Sequence, residues 1–309
     1  MNNQRKIVPV FFAVDDKYLP FLTIALDSLK AHASKENHYD IYVLTTGLTK
    51  ESQTAAKKRE EENLRVHFVD VNEKLQAVSN SLHLRDYYSM ATYYRIFIAG
   101  MFPELDKAVY IDCDIILRDD IAKLYDTDLG DNLVGAVPDQ AVAIVPEFRK
   151  YTKETLGVVA EKYFNAGVLV MNLKKFRETD FYGKFCDLLQ KYKFTVAQDQ
   201  DYLNVACSGF VKFLGAEWNK MPIAGESEEP KLVHYNLTMK PWRYRDILYQ
   251  EYFWAVAKRN EYYGEVKAFL DNFTEEMAKA DAECEKNLRA LALSEAERED
   301  NYWKKYGNA

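Results

Sequence analysis

The sequence predicts an α/β protein built on a parallel sheet with crossover helices, and three observations carry that prediction. Apolar runs of strand length alternate with helical segments between Ile7 and Val69. Two apolar runs end in carboxylates, at Asp15-Asp16 and at Asp112-Cys113-Asp114, where the ligand crevice of an open parallel sheet lies. Beyond about Tyr244 the strand pattern stops, and Asp246 to Ala309 is charged, aromatic-punctuated and helical in character.

Taken in order, Ile7 to Val14 is an apolar run closed by Asp15-Asp16, the pattern of a buried strand leaving the core into a polar loop, with Asp16 as a helix cap. Leu22, Leu26 and Leu29 share one face of the helix that follows. Tyr39 to Leu44 is a second strand, Thr49 caps a charged helix, and Val66 to Val69 is a third strand. Thr92-Tyr93-Tyr94-Arg95 begins a helix, and Ala108 to Ile111 is a buried strand. Leu133 to Val137 and Gly167 to Met171 are further strands, with Lys174 to Tyr192 and Gln198 to Ala206 helical. Val211 to Leu214 and Lys231 to Tyr235 are short late strands. In the carboxyl-terminal region, Arg289 to Leu293 followed by Ser294 predicts a helix break with a new cap at Ser294. The expected division is a catalytic domain over residues 1–245 and a helical extension over 246–309.

Composition narrows the function. At 309 residues and 48% hydrophobic, the chain can bury one large core. A net charge of −7 disfavours nucleic acid and anionic lipid as partners through bulk electrostatics. No apolar run reaches membrane-spanning length, and Met1 to Lys6 is polar, with no apolar signal region behind it. Four cysteines without paired spacing read as free thiols, and the two N-x-T sequons at Asn236 and Asn272 read as chance matches. A cytoplasmic location is expected, at most peripheral to the inner face of the plasma membrane.

Five clusters and one carboxylate pair bear chemistry, each beside a plainer reading. Asp112 and Asp114 at a strand end suit a divalent cation such as Mg²⁺ or Mn²⁺, or form an acidic turn. Asp15 and Tyr18 suit a base or ribose, or begin a helix. Arg95 offers a rigid fork of donors to a phosphate or sugar, or sits on the surface. Asn165-Ala166-Gly167, ahead of the apolar run, suits close approach of a ligand to backbone, or is a plain strand entry. Gln198-Asp199-Gln200-Asp201 opens a helix, and capping accounts for one or two of the four. His234 closes a short strand as a metal ligand or a packed ring, with Lys240 nearby as a phosphate partner.

In this order the clusters resemble the family 8 glycosyltransferases, retaining enzymes that include bacterial lipooligosaccharide galactosyltransferases and glycogenin. The resemblance runs from about Ile7 to Tyr244. Its specific parts are Tyr110-Ile111-Asp112-Cys113-Asp114, Tyr163-Phe164-Asn165-Ala166-Gly167, Gln198 to Asp201, and His234 with Lys240-Pro241-Trp242. It implies a GT-A, Rossmann-like, mixed and mainly parallel sheet flanked by helices. It implies transfer of glucose or galactose from a UDP-sugar to a glycan or glycolipid hydroxyl. By the same resemblance Asp112, Asp114 and His234 hold Mn²⁺ or Mg²⁺, and Lys240 contacts the diphosphate. Asp15 and Tyr18 hold the uracil and ribose, while Arg95, Asp139, Asn165, Ala166, Asp199 and Gln200 surround the donor sugar. Gln200 then lies under the reacting carbon, and a front-face substitution is expected, since an amide is a poor nucleophile.

Two positions depart from the family pattern. Lys17 replaces a frequent Asn, and Leu237 replaces a frequent Gly near the diphosphate, where a side chain must turn away or reshape the loop. The extension carries more Asp and Glu than Lys and Arg, so membrane contact is expected to be weak or absent. Its aromatics, Trp254, Tyr262, Tyr263 and Trp303, are expected to pack on the catalytic domain or at a homodimer contact. Two competing readings are a sugar nucleotidyltransferase and a non-catalytic nucleotide-sugar binder. Against the first, Val10 to Asp16 contains no glycine for a phosphate loop.

Overall fold

The computed structural model describes residues 5–76, 90–224 and 229–307. Met1 to Gln4, which open the charged amino-terminal segment, lie outside the described residues. Nine strands form: β1 Lys6–Ala13, β2 Asn37–Thr45, β3 Leu64–Asp70, β4 Ala108–Ile111, β5 Ile115–Leu117, β6 Val134–Pro138, β7 Phe164–Met171, β8 Val211–Phe213 and β9 Leu232–His234. Seven of them make one sheet in the order β3-β2-β1-β4-β7-β6-β8. The pairs β1/β2, β2/β3, β1/β4 and β6/β8 are parallel, while β7 runs antiparallel to both β4 and β6. The sheet is therefore mixed and mainly parallel, with helices on both faces and a carboxyl-terminal helical extension.

Alternation along the central strands splits the core in two, because successive side chains in a strand face opposite sides. Val10, Phe12, Val109, Ile111, Val168 and Val170 join one buried cluster. Phe11, Ala108, Tyr110, Leu169 and Met171 join the other. Covering both faces explains why these strands read as unbroken apolar runs.

A separate pairing matters most for the site. β5 and β9 form their own antiparallel ribbon, with Ile115 opposite His234. The amide of Tyr235 then donates to the carbonyl of Asp114 at 2.9 Å. β5 is a three-residue strand that the sequence does not announce, and β9 pairs with it instead of joining the main sheet.

Several boundaries differ from the sequence expectation. β7 begins at Phe164, so Asn165, Ala166 and Gly167 lie inside the strand. The segment 174–192 is two helices, Leu173–Glu178 and Phe181–Lys191, separated where Asp180 adopts φ 47° and its side chain caps Gly183. Thr92 to Arg95 falls in a 3₁₀ helix, Met90–Phe97. Asp16 does not cap its own helix: Asp15 accepts from the Tyr18 amide at 3.1 Å, and Asp16 accepts from Ser52 at 2.6 Å. No break occurs at Ser294, because the helix Glu275–Glu297 runs through it. Burial of Ala292 and Ala296, and the 2.8 Å bond from Tyr192 to Glu295, hold that stretch helical; the next cap is Asn301.

The extension packs on the rest of the chain. Phe253, Ala257 and Val266 enter one core cluster and Ala292 the other, with Trp254, Tyr262 and Tyr263 against the first. Trp303 is 42% exposed. No helix among the described residues is long and apolar enough to cross a membrane. Cys113, Cys186, Cys207 and Cys284 are free. One ion pair ties the long helix to the segment carrying Lys240: Asp281, 4% exposed, receives two 2.9 Å bonds from Arg243 and a 3.0 Å bond from Tyr244.

Removing this buried carboxylate takes three hydrogen bonds from Arg243 and Tyr244, so Asp281→Ala is expected to cost about 2 kcal/mol. Thermal melts should show a fall of several degrees, and an unchanged melting temperature would count against this clamp.

Candidate active site

The carboxyl ends of β1 and β4 deliver Asp15, Asp112 and Asp114 to one edge of the sheet. Because β7 is antiparallel, its amino-terminal end, with Asn165 to Gly167, reaches the same edge. β9 closes with His234, and the helix Asp199–Ala206 points its first turn there. Together they line a cavity of about 640 Å³, within the usual size range for small-molecule sites.

Asp112, Asp114 and His234 meet with their ligand atoms all within 4.8 Å of one another. Asp112 Oδ1 is taken by Tyr110 at 2.9 Å and Arg95 at 3.1 Å, which leaves Oδ2 facing the imidazole. His234 Nε2 lies 3.3 Å from Asp114 Oδ1 and 3.9 Å from Asp112 Oδ2. The other oxygen of Asp114 is bound by Lys240. Burial pushes the Asp114 carboxyl up, but the Lys240 ammonium and the His234 ring outweigh it and hold it well below the usual carboxylate range.

The donor set fits a hard divalent cation: two carboxylates and one ring nitrogen, with room for further oxygens. Gly167 makes the convergence possible. A Cβ there would sit 2.3 Å from His234 Cε1 and 2.7 Å from Asp112 Oδ2. The close approach that the sequence assigned to a ligand is thus made by the side chains of the triad.

Arg95 is not a surface residue. It is 3% exposed, donates to the carbonyls of Thr92 and Ala166 and to Asp112, and lies over the Tyr110 ring at 4.2 Å. It lines the cavity beside the triad, where it holds Asp112 and the β7 backbone. Asp199 Oδ2 lies 3.2 Å from Arg95 Nε, yet the pair is not aligned as a hydrogen bond. Burial pushes the Asp199 carboxyl up to about 7, against the pull of Arg95.

Asp139 is saturated by donors. Its Oδ1 accepts from the amides of Ala141 and Val142, and its Oδ2 from Asn165 at 3.0 Å and Gln200 at 3.1 Å. Gln200 Oε1 accepts from the Ala166 amide at 2.9 Å. Asp201 is bound by Tyr151, Tyr163 and the Ala197 amide, and belongs to the scaffold. Each acid of the Gln198–Asp201 run therefore has its own partner, and helix capping explains none of them. Gln198, at φ 48°, supplies the bend that sends Asp199 and Gln200 in different directions.

Leu237 adopts φ 50°, so the backbone keeps the left-handed form that a glycine would take, while the side chain lines the cavity. Lys17 and Tyr18 line it as well. Sequence reasoning missed two contributors. Asn219, fully buried, accepts from or donates to both His234 and Asn165. Phe269, Phe273, Met277 and Leu288 bring the extension into the cavity wall.

Comparison with known proteins follows the same lines. The family described as Glycosyl transferase family 8 matches residues 9–246. A putative glycosyltransferase of Haemophilus influenzae is 29% identical over 215 residues, covering 69% of this chain and 63% of that protein. The chain thus spans under two thirds of that relative. Lipopolysaccharide 1,2-glucosyltransferase of Escherichia coli K12 is 27% identical over 294 residues, covering 87% of this chain and 79% of that protein. Among solved structures, galactosyltransferase LgtC in complex with donor and acceptor sugar analogs superposes with a TM-score of 0.71 at 29% identity, over 83% of this chain and 99% of that one.

A methyl group at position 167 cannot coexist with the present ring and carboxylate positions. Gly167→Ala is therefore expected to weaken Mn²⁺ binding at least about tenfold in calorimetric titration, with the circular dichroism spectrum unchanged. Wild-type affinity in this variant would show that the triad does not depend on the β7 approach.

Proposed function

The chain belongs to glycosyl transferase family 8, and from that premise we propose that it transfers a hexose from UDP-glucose or UDP-galactose to a hydroxyl of a glycan or glycolipid, with retention of configuration. One observation carries the reading: the Asp112–Asp114–His234 triad and Lys240 share a single cavity with Asp15, Tyr18, Asn165 and Gln200. A metal site alone would suit many enzymes. A metal site beside a phosphate-directed lysine, a strand-end Asp with a tyrosine, and an amide-rich sugar pocket suits a nucleotide-sugar donor.

Asp112, Asp114 and His234 would hold Mn²⁺ or Mg²⁺, which when bound would supply charge neutralisation for the diphosphate that leaves. Lys240 turns from Asp114 to a diphosphate oxygen and adds a second positive charge. Asp15 and Tyr18 hold the nucleoside at the end of β1. Asn165, Asp139 and Gln200, locked together by hydrogen bonds, present a rigid amide surface to the sugar. The anomeric carbon loses its bond to the leaving oxygen and gains one to the acceptor oxygen on the same face. The acceptor proton passes to the departing diphosphate. Gln200 does not form a covalent intermediate, because its oxygen is committed to the Ala166 amide and an amide is weakly nucleophilic. The wall supplied by Phe273 and Met277 takes the acceptor.

Incubation with UDP-glucose and UDP-galactose in the presence of Mn²⁺ should raise the melting temperature and release UDP slowly. Asp112→Ala should lower that release by about 100-fold or more. Hydrolysis that survives both EDTA and Asp112→Ala, or release of UMP in place of UDP, would overturn the reading. Met277→Arg, which plants a charge in the acceptor wall, is expected to leave UDP-sugar hydrolysis intact while suppressing transfer to neutral alkyl and aryl glycosides. Equal loss of both activities would remove the wall from acceptor binding.

A further inference from the structure

We infer that Asn219, which has no place on the cavity wall, is a positioning residue that sets the tautomer of His234 and thereby prepares the ring to bind a cation. The inference rests on the reading that the triad holds a divalent ion. It follows from the direction of a hydrogen-bond chain that crosses four side chains.

The chain has a fixed end. A carboxylate only accepts, so Asn165 must direct its amide nitrogen to Asp139 Oδ2, at 3.0 Å. Asn165 then offers its oxygen in the other direction. The Gly167 amide, which can only donate, confirms this by meeting that oxygen at 3.0 Å. Asn219 Nδ2 donates to the same oxygen at 2.9 Å. Its own oxygen is left facing His234 Nδ1 at 2.9 Å, so the ring carries a proton on Nδ1. No other assignment satisfies every donor and acceptor in the row.

The consequence falls on the opposite nitrogen. With the proton held at Nδ1, Nε2 points its lone pair at the oxygens of Asp112 and Asp114, 3.9 and 3.3 Å away. Three electron-rich atoms facing one another make a ligand set that a cation, or a second proton on the ring, completes. Without Asn219, the competing tautomer places a proton on Nε2, donates it to Asp114 Oδ1, and fills the space that the cation needs. A buried amide one layer behind the cavity wall thus decides whether the imidazole is a ligand or a hydrogen-bond donor.

Asn219 is built for this task by its backbone. Its carbonyl accepts from Gln140 at 2.8 Å. The next residue, Lys220, accepts from the His234 amide and donates to the Leu232 carbonyl, each at 2.9 Å. The segment is therefore laced to β9, and the amide is held in register with the ring it orients.

The test reads the ring directly. Two-bond ¹H–¹⁵N correlation spectra of the metal-free protein, assigned by comparison with His234→Gln and recorded at alkaline pH where the ring is neutral, should show His234 protonated at Nδ1 and bare at Nε2. Asn219→Leu should move the proton to Nε2 and weaken Mn²⁺ binding by about 10–100-fold in calorimetric titration. Asn219→Asp, which keeps an acceptor for Nδ1, should retain the wild-type tautomer and most of the affinity. The inference fails if the wild-type ring carries its proton on Nε2, or if a folded Asn219→Leu binds Mn²⁺ like wild type. Should Asn219→Leu not fold, the wild-type spectrum decides alone. Failure of the wild type to bind Mn²⁺ would instead sink the metal reading, which the metal-free spectrum does not depend on.

Discussion

Five carboxylates, Asp15, Asp112, Asp114, Asp139 and Asp199, share one edge of the sheet, and their mutual repulsion governs how that edge is built. Buried like charges are tolerable only when each oxygen has a donor or a cation. Arg95 sits between Asp112 and Asp199, while Lys240 takes one oxygen of Asp114. Asp139 is neutralised without a cation, by four N–H donors from a helix start and two amides. Asp112 Oδ2, Asp114 Oδ1 and a ring nitrogen face one another without a donor between them, and Asp199 Oδ2 has only its ion pair with Arg95. Asp139 is fully paired, so the oxygens open to a cation gather around the imidazole.

This explains which parts of the site were legible in the sequence. Asp15, Asp112 and Asp114 could be placed because a buried strand that ends in acids must open onto a crevice, and both the run and the acids are local signals. His234 could be linked to them only through the family resemblance. Its proximity depends on the pairing of two three-residue strands, β5 and β9, and strands that short leave no periodic trace. Asn219 left no signal at all, since one Asn after a Trp is unremarkable until the hydrogen-bond chain is traced. Asn165-Ala166-Gly167 was read as suiting the close approach of a ligand, and the groups that approach Gly167 are an imidazole and a carboxylate of the same chain.

The helical errors have a common cause. Ser294 followed by Glu297 has the spacing of a capping box, and the same spacing can occur inside a helix. Only contacts from elsewhere decide between them: Tyr192 reaching Glu295, and Ala292 and Ala296 packed into the core. At Asp180 the reverse holds, since a helix that reads as continuous from residue 174 to 192 is split by one residue in the left-handed region. Local propensity is worth tenths of a kcal/mol per residue, about the scale of one tertiary contact, so neither outcome is surprising.

The extension and the candidate site are mechanically one unit. The segment from His234 to Tyr244 carries a metal-type ligand, the left-handed Leu237 and Lys240, and it ends in Arg243 and Tyr244, both bound to Asp281 of the long helix. A left-handed leucine costs roughly 1–2 kcal/mol, and a short loop bearing that strain stays in place only if both ends are held. The β5–β9 ribbon holds one end and Asp281 the other. The same helix brings Met277 and Leu288 to the cavity. A displacement of this helix would therefore reach the cavity wall and Lys240 together, because the Asp281 contacts and a strained loop connect them.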